Sequence, residues 1–292
     1  MGRRVSIIAT ILFACAIFLP TTDCVAPSLL HLVFQGCSAT AFPPNGEFEQ
    51  TLTALFNTLI LHASQGHFYK TTAGSGAYSI YGVFQCRGDL GSGDCYYCVN
   101  RLPVEARRGC GRVTAARVQL QGCYLQYNAG DPNSLSGTTR LYSKCGTTPA
   151  TGAAFLQLRQ AAFSDVQVGV QGGRGFYAVG HGGVYTLGQC QGDLSVADCG
   201  DCLKTALQEV ADHCGTVNSG QVYLTRCYAT YAYYPVGGSG AYGSYGMVGG
   251  SPEHGQQTGK IIAIVVGGVA ALLFVFVCLW FVKSLTKKHD DY

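Results

Sequence analysis

Cysteine is the residue type in this sequence that could take part in the most kinds of chemistry. Twelve of the 15 cysteines fall into two series, and from its second member onward each series has the spacing C-x8-C-x2-C-x11-C-x12-C. The first series is Cys37, Cys86, Cys95, Cys98, Cys110 and Cys123, and the second is Cys145, Cys190, Cys199, Cys202, Cys214 and Cys227. Chance does not place five cysteines twice in one register, so the spacing predicts an internal duplication.

Three kinds of chemistry are compatible with the C-x2-C pair in each series. A thioredoxin-type redox site needs one reactive pair in a βαβ unit, whereas each pair here lies among four other regularly spaced cysteines. A zinc site needs two further ligands, but the position of His213 beside Cys214 is Gly109 in the first series. A disulfide framework fits the even number and is the interpretation that we favour, without metal or cofactor. Spacing alone leaves every pairing of six cysteines open.

Acids and histidines form no recognisable catalytic set. The sequence has no H-E-x-x-H, G-x-S-x-G or P-loop motif, and no catalytic constellation repeats in both copies, although two aspartate positions recur. Asp89 and Asp193 lie in a G-D-L sequence typical of a turn or cap, and Asp94 and Asp198 are placed to cap a helix. We therefore predict a protein that is not an enzyme and has no catalytic residues.

Two apolar segments flank the cysteine repeats. Arg3 and Arg4 precede an apolar run at residues 5–19 with a polar exit, which is typical of a secretory signal peptide, here residues 1–26. Residues 261–282 carry no charge, and a helix of this length, at about 1.5 Å per residue, spans the hydrocarbon core of a bilayer. More lysines follow this segment than precede it, so the positive-inside rule predicts a type I membrane protein.

The predicted membrane helix has two further features. Gly267 and Ala271 form a small-xxx-small pair that permits close helix packing, and hence a homo- or hetero-oligomer through the membrane. Cys278, near the cytoplasmic end, is a candidate for palmitoylation. Ordinary lipid-facing packing is the alternative for these residues. Residues 283–292 form a cytoplasmic tail that is too short for a folded domain.

The part between the apolar segments divides into two domains, residues 27–132 and 140–236, and a Gly-rich stalk, residues 237–260. Apolar residues at helical spacing predict a helix over residues 45–66, and alternating apolar residues predict strands over residues 118–127. Helices mixed with consecutive antiparallel strands indicate the α+β class. The net charge of +3 gives no reason to expect a nucleic acid partner.

The residues around the cysteines resemble a known domain. The repeated Q-C-x-G-D-L, together with ARVQLQGCYLQY at residues 116–127, is similar to the ginkbilobin-like cysteine-rich domain of plant secreted and receptor-like proteins. Two such domains, one membrane span and a very short tail resemble the plasmodesmata-located protein family over nearly the whole chain. Cysteine-rich receptor kinases share the ectodomain, but they carry a cytoplasmic kinase that this tail has no room for.

The resemblance implies a fold and a disulfide pairing. Each domain would be a small antiparallel sheet with two helices, stapled by three disulfides. By resemblance the pairs are Cys37–Cys110, Cys86–Cys95, Cys98–Cys123, Cys145–Cys214, Cys190–Cys199 and Cys202–Cys227.

The resemblance also identifies candidate carbohydrate-binding positions. The founding secreted member of the domain family binds mannose through an Asn, an Arg and a Glu, whose positions here are Ser38, Arg117 and Asn128. Only the arginine is kept, and the second copy keeps none of the three. The alternative for Arg117 is a solvated strand residue. It belongs to a basic segment that an acidic cell-wall polysaccharide or an apoplastic protein would contact.

Two functions follow as expectations. The family resemblance implies a plasmodesmal protein of the plasma membrane, delivered by the secretory pathway with its ectodomain outside the cell, that modulates cell-to-cell trafficking. It also implies a link with callose deposition and with viral movement proteins as partners. The alternative is a cell-surface lectin or a receptor-like sensor of apoplastic carbohydrate.

Overall fold

The protein is described by a computed structural model that covers residues 27–129, 137–150, 153–172 and 175–235. The predicted signal peptide, stalk, membrane span and tail lie outside these residues, and so do Gly267, Ala271 and Cys278. Within the described ranges, no helix combines the length and apolar character that a membrane crossing requires.

The first domain is an α+β unit with a five-stranded antiparallel sheet and two helices on one side of it. Its elements are β1 (Leu32–Cys37), α1 (Glu47–Ala63), β2 (Phe68–Ala73), β3 (Ile80–Cys86), α2 (Ser92–Cys110), β4 (Ala115–Leu120) and β5 (Cys123–Ala129). The strands lie in the order β1-β4-β5-β3-β2.

The second domain repeats this arrangement. Its elements are β6 (Arg140–Cys145), α3 (Ala153–Gly169), β7 (Phe176–His181), β8 (Val184–Cys190), α4 (Val196–Cys214), β9 (Ser219–Leu224) and β10 (Cys227–Tyr233). The strand order β6-β9-β10-β8-β7 is the same as in the first domain, which confirms the predicted fold class and the duplication.

Helical periodicity explains why α1 forms and where it packs. Leu52, Leu55 and Leu59 are three or four residues apart and lie fully or almost fully buried against the sheet. Gly82 of β3 permits this packing, because a Cβ atom there would come within 2.7 Å of the Leu55 side chain. The predicted helix is therefore confirmed, although it begins at Glu47 and ends at Ala63, slightly inside the predicted bounds.

The predicted capping role of Asp94 and Asp198 is wrong by three residues. Helix α4 is capped by Ser195, whose Oγ accepts a hydrogen bond from the Asp198 N–H at 3.1 Å. The Asp198 carboxylate accepts the Ser195 hydroxyl at 2.7 Å and lies inside the first turn, where a negative charge complements the helix dipole. Asp94 has the equivalent place in α2, which begins after Gly91.

Six disulfides hold the helices to the sheets. They join Cys37–Cys110, Cys86–Cys95, Cys98–Cys123, Cys145–Cys214, Cys190–Cys199 and Cys202–Cys227, the pairs that the resemblance implies. In each domain, the second helix is bonded to three different strands. Each bond limits the freedom of the unfolded chain and contributes about 2–4 kcal/mol.

Candidate functional site

In each domain, the helices cover one face of the sheet, and the neighbouring domain covers the opposite face. In β4, Ala116, Val118 and Leu120 point to the helices, so Arg117 and Gln119 point the opposite way. Both of these polar residues are nevertheless buried. They are buried because the two sheets pack on each other through these faces, close to the Cys86 and Cys190 ends of the central strands.

The centre of the interface is reciprocal. The side-chain amide of Gln85 donates to the carbonyl of Cys190 at 2.8 Å, and that of Gln189 donates to the carbonyl of Cys86 at 2.9 Å. Gly88 and Gly192 make room for a phenylalanine of the opposite domain, since a Cβ on either glycine would approach the ring within 2.7 Å. The repeated Q-C-x-G-D-L was the signal for this contact, but sequence reasoning missed its role.

Arg117 lies in the interface and is only 9% exposed, so the alternative of a solvated strand residue is wrong. Its guanidinium donates to the carbonyl of Thr225 at 2.8 Å and to Gln126 Oε1 at 3.1 Å, and lies 4.1 Å from the ring centre of Tyr124. Burial lowers the pKa of Arg117, and the stacking on Tyr124 partly compensates for the lost hydration. The guanidinium therefore joins the domains and is not available to a ligand while they are packed.

Ser38 and Asn128 lie together near the start of β4. The Ser38 Oγ accepts a hydrogen bond from the Ala115 N–H at 3.2 Å, and Asn128 is paired with Ala115 across the sheet. Arg117 is two residues farther along and is bonded to the other domain. Ser38 therefore stabilises the backbone within the first domain, whereas Arg117 bonds to the second domain.

A charged cleft of about 550 Å³ flanks one side of the interface. Asp193 accepts hydrogen bonds from Lys70 at 2.5 Å and from Arg226 at 2.7 Å, and the Lys70 bond crosses between the domains. Burial alone would raise the pKa of Asp193, but the hydrogen bonds from the two cations outweigh it and lower the pKa. The turn role predicted for Asp193 is therefore incomplete, because this aspartate also ties the domains together.

An aromatic cleft of about 410 Å³ flanks the other side. Tyr142 stacks on Phe34 with ring centres 5.2 Å apart, and Tyr223 stacks on Tyr228 at 4.8 Å. Burial raises the pKa values of Tyr223 and Tyr228, so both rings keep their hydroxyl protons. Polar side chains complete the lining, including Lys144, Asn218, Ser219, Gln221 and Thr230.

The aromatic cleft has the composition of a binding site. Ring faces offer stacking surface to an apolar or sugar ring, and the neighbouring hydroxyls and amides offer hydrogen bonds that orient it. Gly146, Gln221 and Ala232, the second-copy equivalents of the candidate carbohydrate positions, also line this cleft. The Tyr-rich end of the second domain, residues 228–234, is the sequence signal for this cleft, and sequence reasoning missed its role.

No group of three or more potential metal ligands occurs in the part of the chain that the structure describes. Of the recurring acids, Asp89 is paired with Arg87 at 2.6 Å and Asp193 with two cations, so both are engaged in ion pairs. The arrangement is suited to recognition by stacking and hydrogen bonding.

Comparison with known proteins agrees with this architecture. A family model described as "Salt stress response/antifungal" matches residues 36–130 and 143–234, one match in each domain. In the solved tandem DUF26 ectodomain of the Arabidopsis thaliana cysteine-rich receptor-like protein PDLP8, 98% of that chain superimposes on 70% of this one. The TM-score is 0.65 at 29% sequence identity.

Two curated relatives extend the similarity beyond the ectodomain. Plasmodesmata-located protein 2 of Arabidopsis thaliana is 41% identical over an alignment of 308 positions, which covers 100% of both chains. Plasmodesmata-located protein 1 of the same plant is 40% identical and covers 89% of this chain and 90% of its own. The resemblance seen in the cysteine motifs is thus confirmed, and the chain belongs to the plasmodesmata-located protein family.

Proposed function

We propose that this protein is a non-enzymatic type I membrane protein of plasmodesmata that modulates the passage of molecules between cells. One observation carries the proposal, namely the 41% identity with Plasmodesmata-located protein 2 over the full length of both chains. The similarity includes residues 1–26 and 261–282, where the signal peptide and membrane span are predicted. Callose-linked regulation and contact with viral movement proteins are part of the proposal.

The ectodomain supports a scaffolding mechanism. Three disulfides stiffen each domain, and reciprocal hydrogen bonds across the interface join the two domains. A stiff body can hold a partner or wall component at a set position without chemical conversion. The membrane span would then determine where that body is displayed.

The proposal is tested by expressing the full chain with a C-terminal fluorescent protein in leaf epidermis. We expect paired spots across shared walls, and a changed spread of a mobile fluorescent protein from single transformed cells. The matched control replaces residues 261–282 with an unrelated membrane span of equal length. A uniform plasma-membrane signal from the natural chain, or unchanged spread at high expression, would contradict the proposal.

A second candidate function is carbohydrate recognition, and the aromatic cleft is the observation that favours it. Tyr142 and the 41% exposed Tyr234 provide ring surface in the cleft that also holds Asn218 and Gln221, a combination that suits a sugar ring better than the buried Arg117 does. Full-length protein in detergent would be applied to an array of plant cell-wall oligosaccharides. Binding should be lost with Tyr142→Ser and kept with Tyr97→Ser, which removes an exposed tyrosine outside the cleft.

A further inference from the structure

A small cavity lies at the centre of the contact between the domains. Its volume, measured for the centre of a water molecule, is about 10 Å³, which is roughly what one buried water needs. Glutamines of both domains line it, namely Gln85, Gln119, Gln189 and Gln191. We call this space the interface cavity. Its walls are polar, and polar walls are what distinguish a cavity that holds water from one that stays dry.

Two buried polar atoms of the cavity lining lack a protein partner. Arg117 Nε and Gln119 Oε1 have no hydrogen-bond partner among the described residues, although both side chains are at least nine-tenths buried. The third such atom in the described ranges, Thr186 Oγ1, belongs to β8, and Thr186 does not line the cavity. The two atoms at the cavity are of opposite kinds, because Nε–H donates a hydrogen bond and Oε1 accepts one.

The orientation of the Gln119 amide follows from its other contacts. Its Nε2 donates to the carbonyl of Leu120 at 2.9 Å and to that of Cys123 at 3.4 Å. Exchanging the amide oxygen and nitrogen would place Oε1 against two carbonyl oxygens, none of which can donate a hydrogen bond to it. The atom without a partner is therefore an acceptor.

The donor is held in place as well. Arg117 Nη1 donates to Gln126 and Thr225, and the guanidinium lies over the ring of Tyr124, so Nε cannot turn towards another partner without breaking these contacts. Arg117 and Gln119 are two residues apart in β4, on the same face and about 7 Å from each other along the strand. Two long side chains at this separation can bond to one small molecule between them.

We propose that the interface cavity binds one water molecule, which accepts a hydrogen bond from Arg117 Nε–H and donates one to Gln119 Oε1. A water molecule is suited to this site because it accepts and donates at the same time. A buried donor or acceptor without a partner loses its hydration and gains nothing for it, whereas ordering one water costs little by comparison. The water is thus part of the contact between the domains.

A halide ion is the other small ligand that a buried cation attracts. Arg117 forms no ion pair with any described carboxylate, and charge alone would favour an anion there. An anion cannot donate a hydrogen bond, so Gln119 Oε1 would stay without a partner and its partial negative charge would repel the ion. A halide is also larger than water, and the cavity has room for one water only.

The proposed water belongs to one side of the interface. In the second domain, the positions of Arg117 and Gln119 are occupied by Gln221 and Tyr223. Neither contributes a buried atom without a partner in the part of the chain that the structure describes. The Tyr223 ring stacks on Tyr228 instead, with ring centres 4.8 Å apart. Duplication has therefore kept a hydrated polar pair in one sheet and an aromatic pair in the other.

Radiolytic footprinting of the full-length protein in detergent tests the site. X-ray pulses convert water into hydroxyl radicals, which oxidise side chains next to a bound water even where bulk solvent does not reach. Tyr124 lines the cavity and is 6% exposed, whereas Tyr127 of the same strand is 2% exposed and faces the helices. We expect mass spectrometry to find Tyr124 oxidised and Tyr127 protected. Equal protection of both tyrosines in the natural chain would overturn the proposal.

Two variants show whether the oxidation depends on the site. Gln119→Leu removes the acceptor and places an apolar side chain at the cavity, so Tyr124 should become as protected as Tyr127. Gln35→Leu makes the same change on the helix-facing side of β1, where Gln35 is paired with Val118, and should leave Tyr124 oxidation unchanged. Unchanged oxidation in Gln119→Leu would show that bulk solvent reaches the ring, and the proposal would fail.

Crystals of the full-length chain grown with bromide in place of chloride distinguish water from an anion and need no variant. We expect one solvent peak within hydrogen-bond distance of Arg117 Nε and Gln119 Oε1, without anomalous scattering from bromide. A bromide signal at that position, or a cavity without ordered solvent, would overturn the proposal.

Discussion

The two sides of the interdomain contact have diverged, although its centre is reciprocal. On one side, Asp193 binds Lys70 of the other domain and Arg226 of its own. At the equivalent places on the other side stand Ala178 and Gly122, and Asp89 is paired only with Arg87 of its own domain. That side opens instead into the aromatic cleft.

This difference shows which parts of a duplicated domain are constrained. The glutamines, glycines and phenylalanines at the centre make the same contact in both directions across the interface, so a change in one copy alters a contact of the other domain. Residues on the flanks have no such partner and can change independently. A charged cleft and an aromatic cleft have therefore developed on the two sides of an unchanged centre.

The largest expected effect tests whether the two domains remain equivalent in their disulfides. Cys98–Cys123 and Cys202–Cys227 have the same sequence separation of 25 residues. Replacing either pair by serine should therefore lower the free energy of unfolding by the same amount, about 3 kcal/mol. Thermal denaturation of the two full-length variants measures this. Clearly unequal losses would show that one domain depends on its staple more than the other.

The next effect distinguishes the two recurring aspartates. Asp89→Asn leaves Arg87, whose side chain is 5% exposed, as a buried cation without its partner, and should cost about 3 kcal/mol. Asp193→Asn breaks two ion pairs but leaves Lys70 and Arg226 partly hydrated, and should cost about 1 kcal/mol. Urea denaturation gives both values. A larger loss for Asp193→Asn would mean that the number of ion pairs matters more than their burial.

A smaller and symmetric effect is expected at the centre of the interface. Gln85→Ala and Gln189→Ala each remove one amide that donates to a carbonyl of the opposite domain, and should each cost about 1 kcal/mol. The double variant tests coupling, because neighbouring contacts in one interface are rarely additive. Losses that differ by more than twofold between the two single variants would break the proposed equivalence.

The smallest effect is a dependence of stability on pH that belongs to one side only. The pKa of Asp193 is lowered in the folded protein, so its ion pairs stabilise the interface fully above the ordinary aspartate pKa, about 4. This contribution is lost as the pH falls from about 4 through the lowered value. The stability difference between the natural chain and Asp193→Asn should shrink over that interval. A stability difference that stays constant down to pH 2 would show that it does not come from the ionised Asp193 carboxylate.

Much of the domain fold could be predicted from local patterns. Cysteine spacing revealed the duplication, the spacing of Leu52, Leu55 and Leu59 predicted a helix, and alternation predicted strands such as β4 and β5. These signals are readable because helix and strand periods are properties of neighbouring residues. The cap at Ser195 was missed because Asp198, three residues later, carries an equally suitable side chain for that role.

By itself, the sequence determined the two cysteine-stapled repeats, their α+β class and, through the motifs around the cysteines, their family. Only the tertiary structure decided that Arg117 is buried and that Asp193 joins the domains. It also decided that tyrosines line one of the two clefts beside the interface. The Lys70–Asp193 bond joins residues 123 positions apart in different domains. Such contacts depend on how two finished sheets pack, and no period within one segment encodes that arrangement.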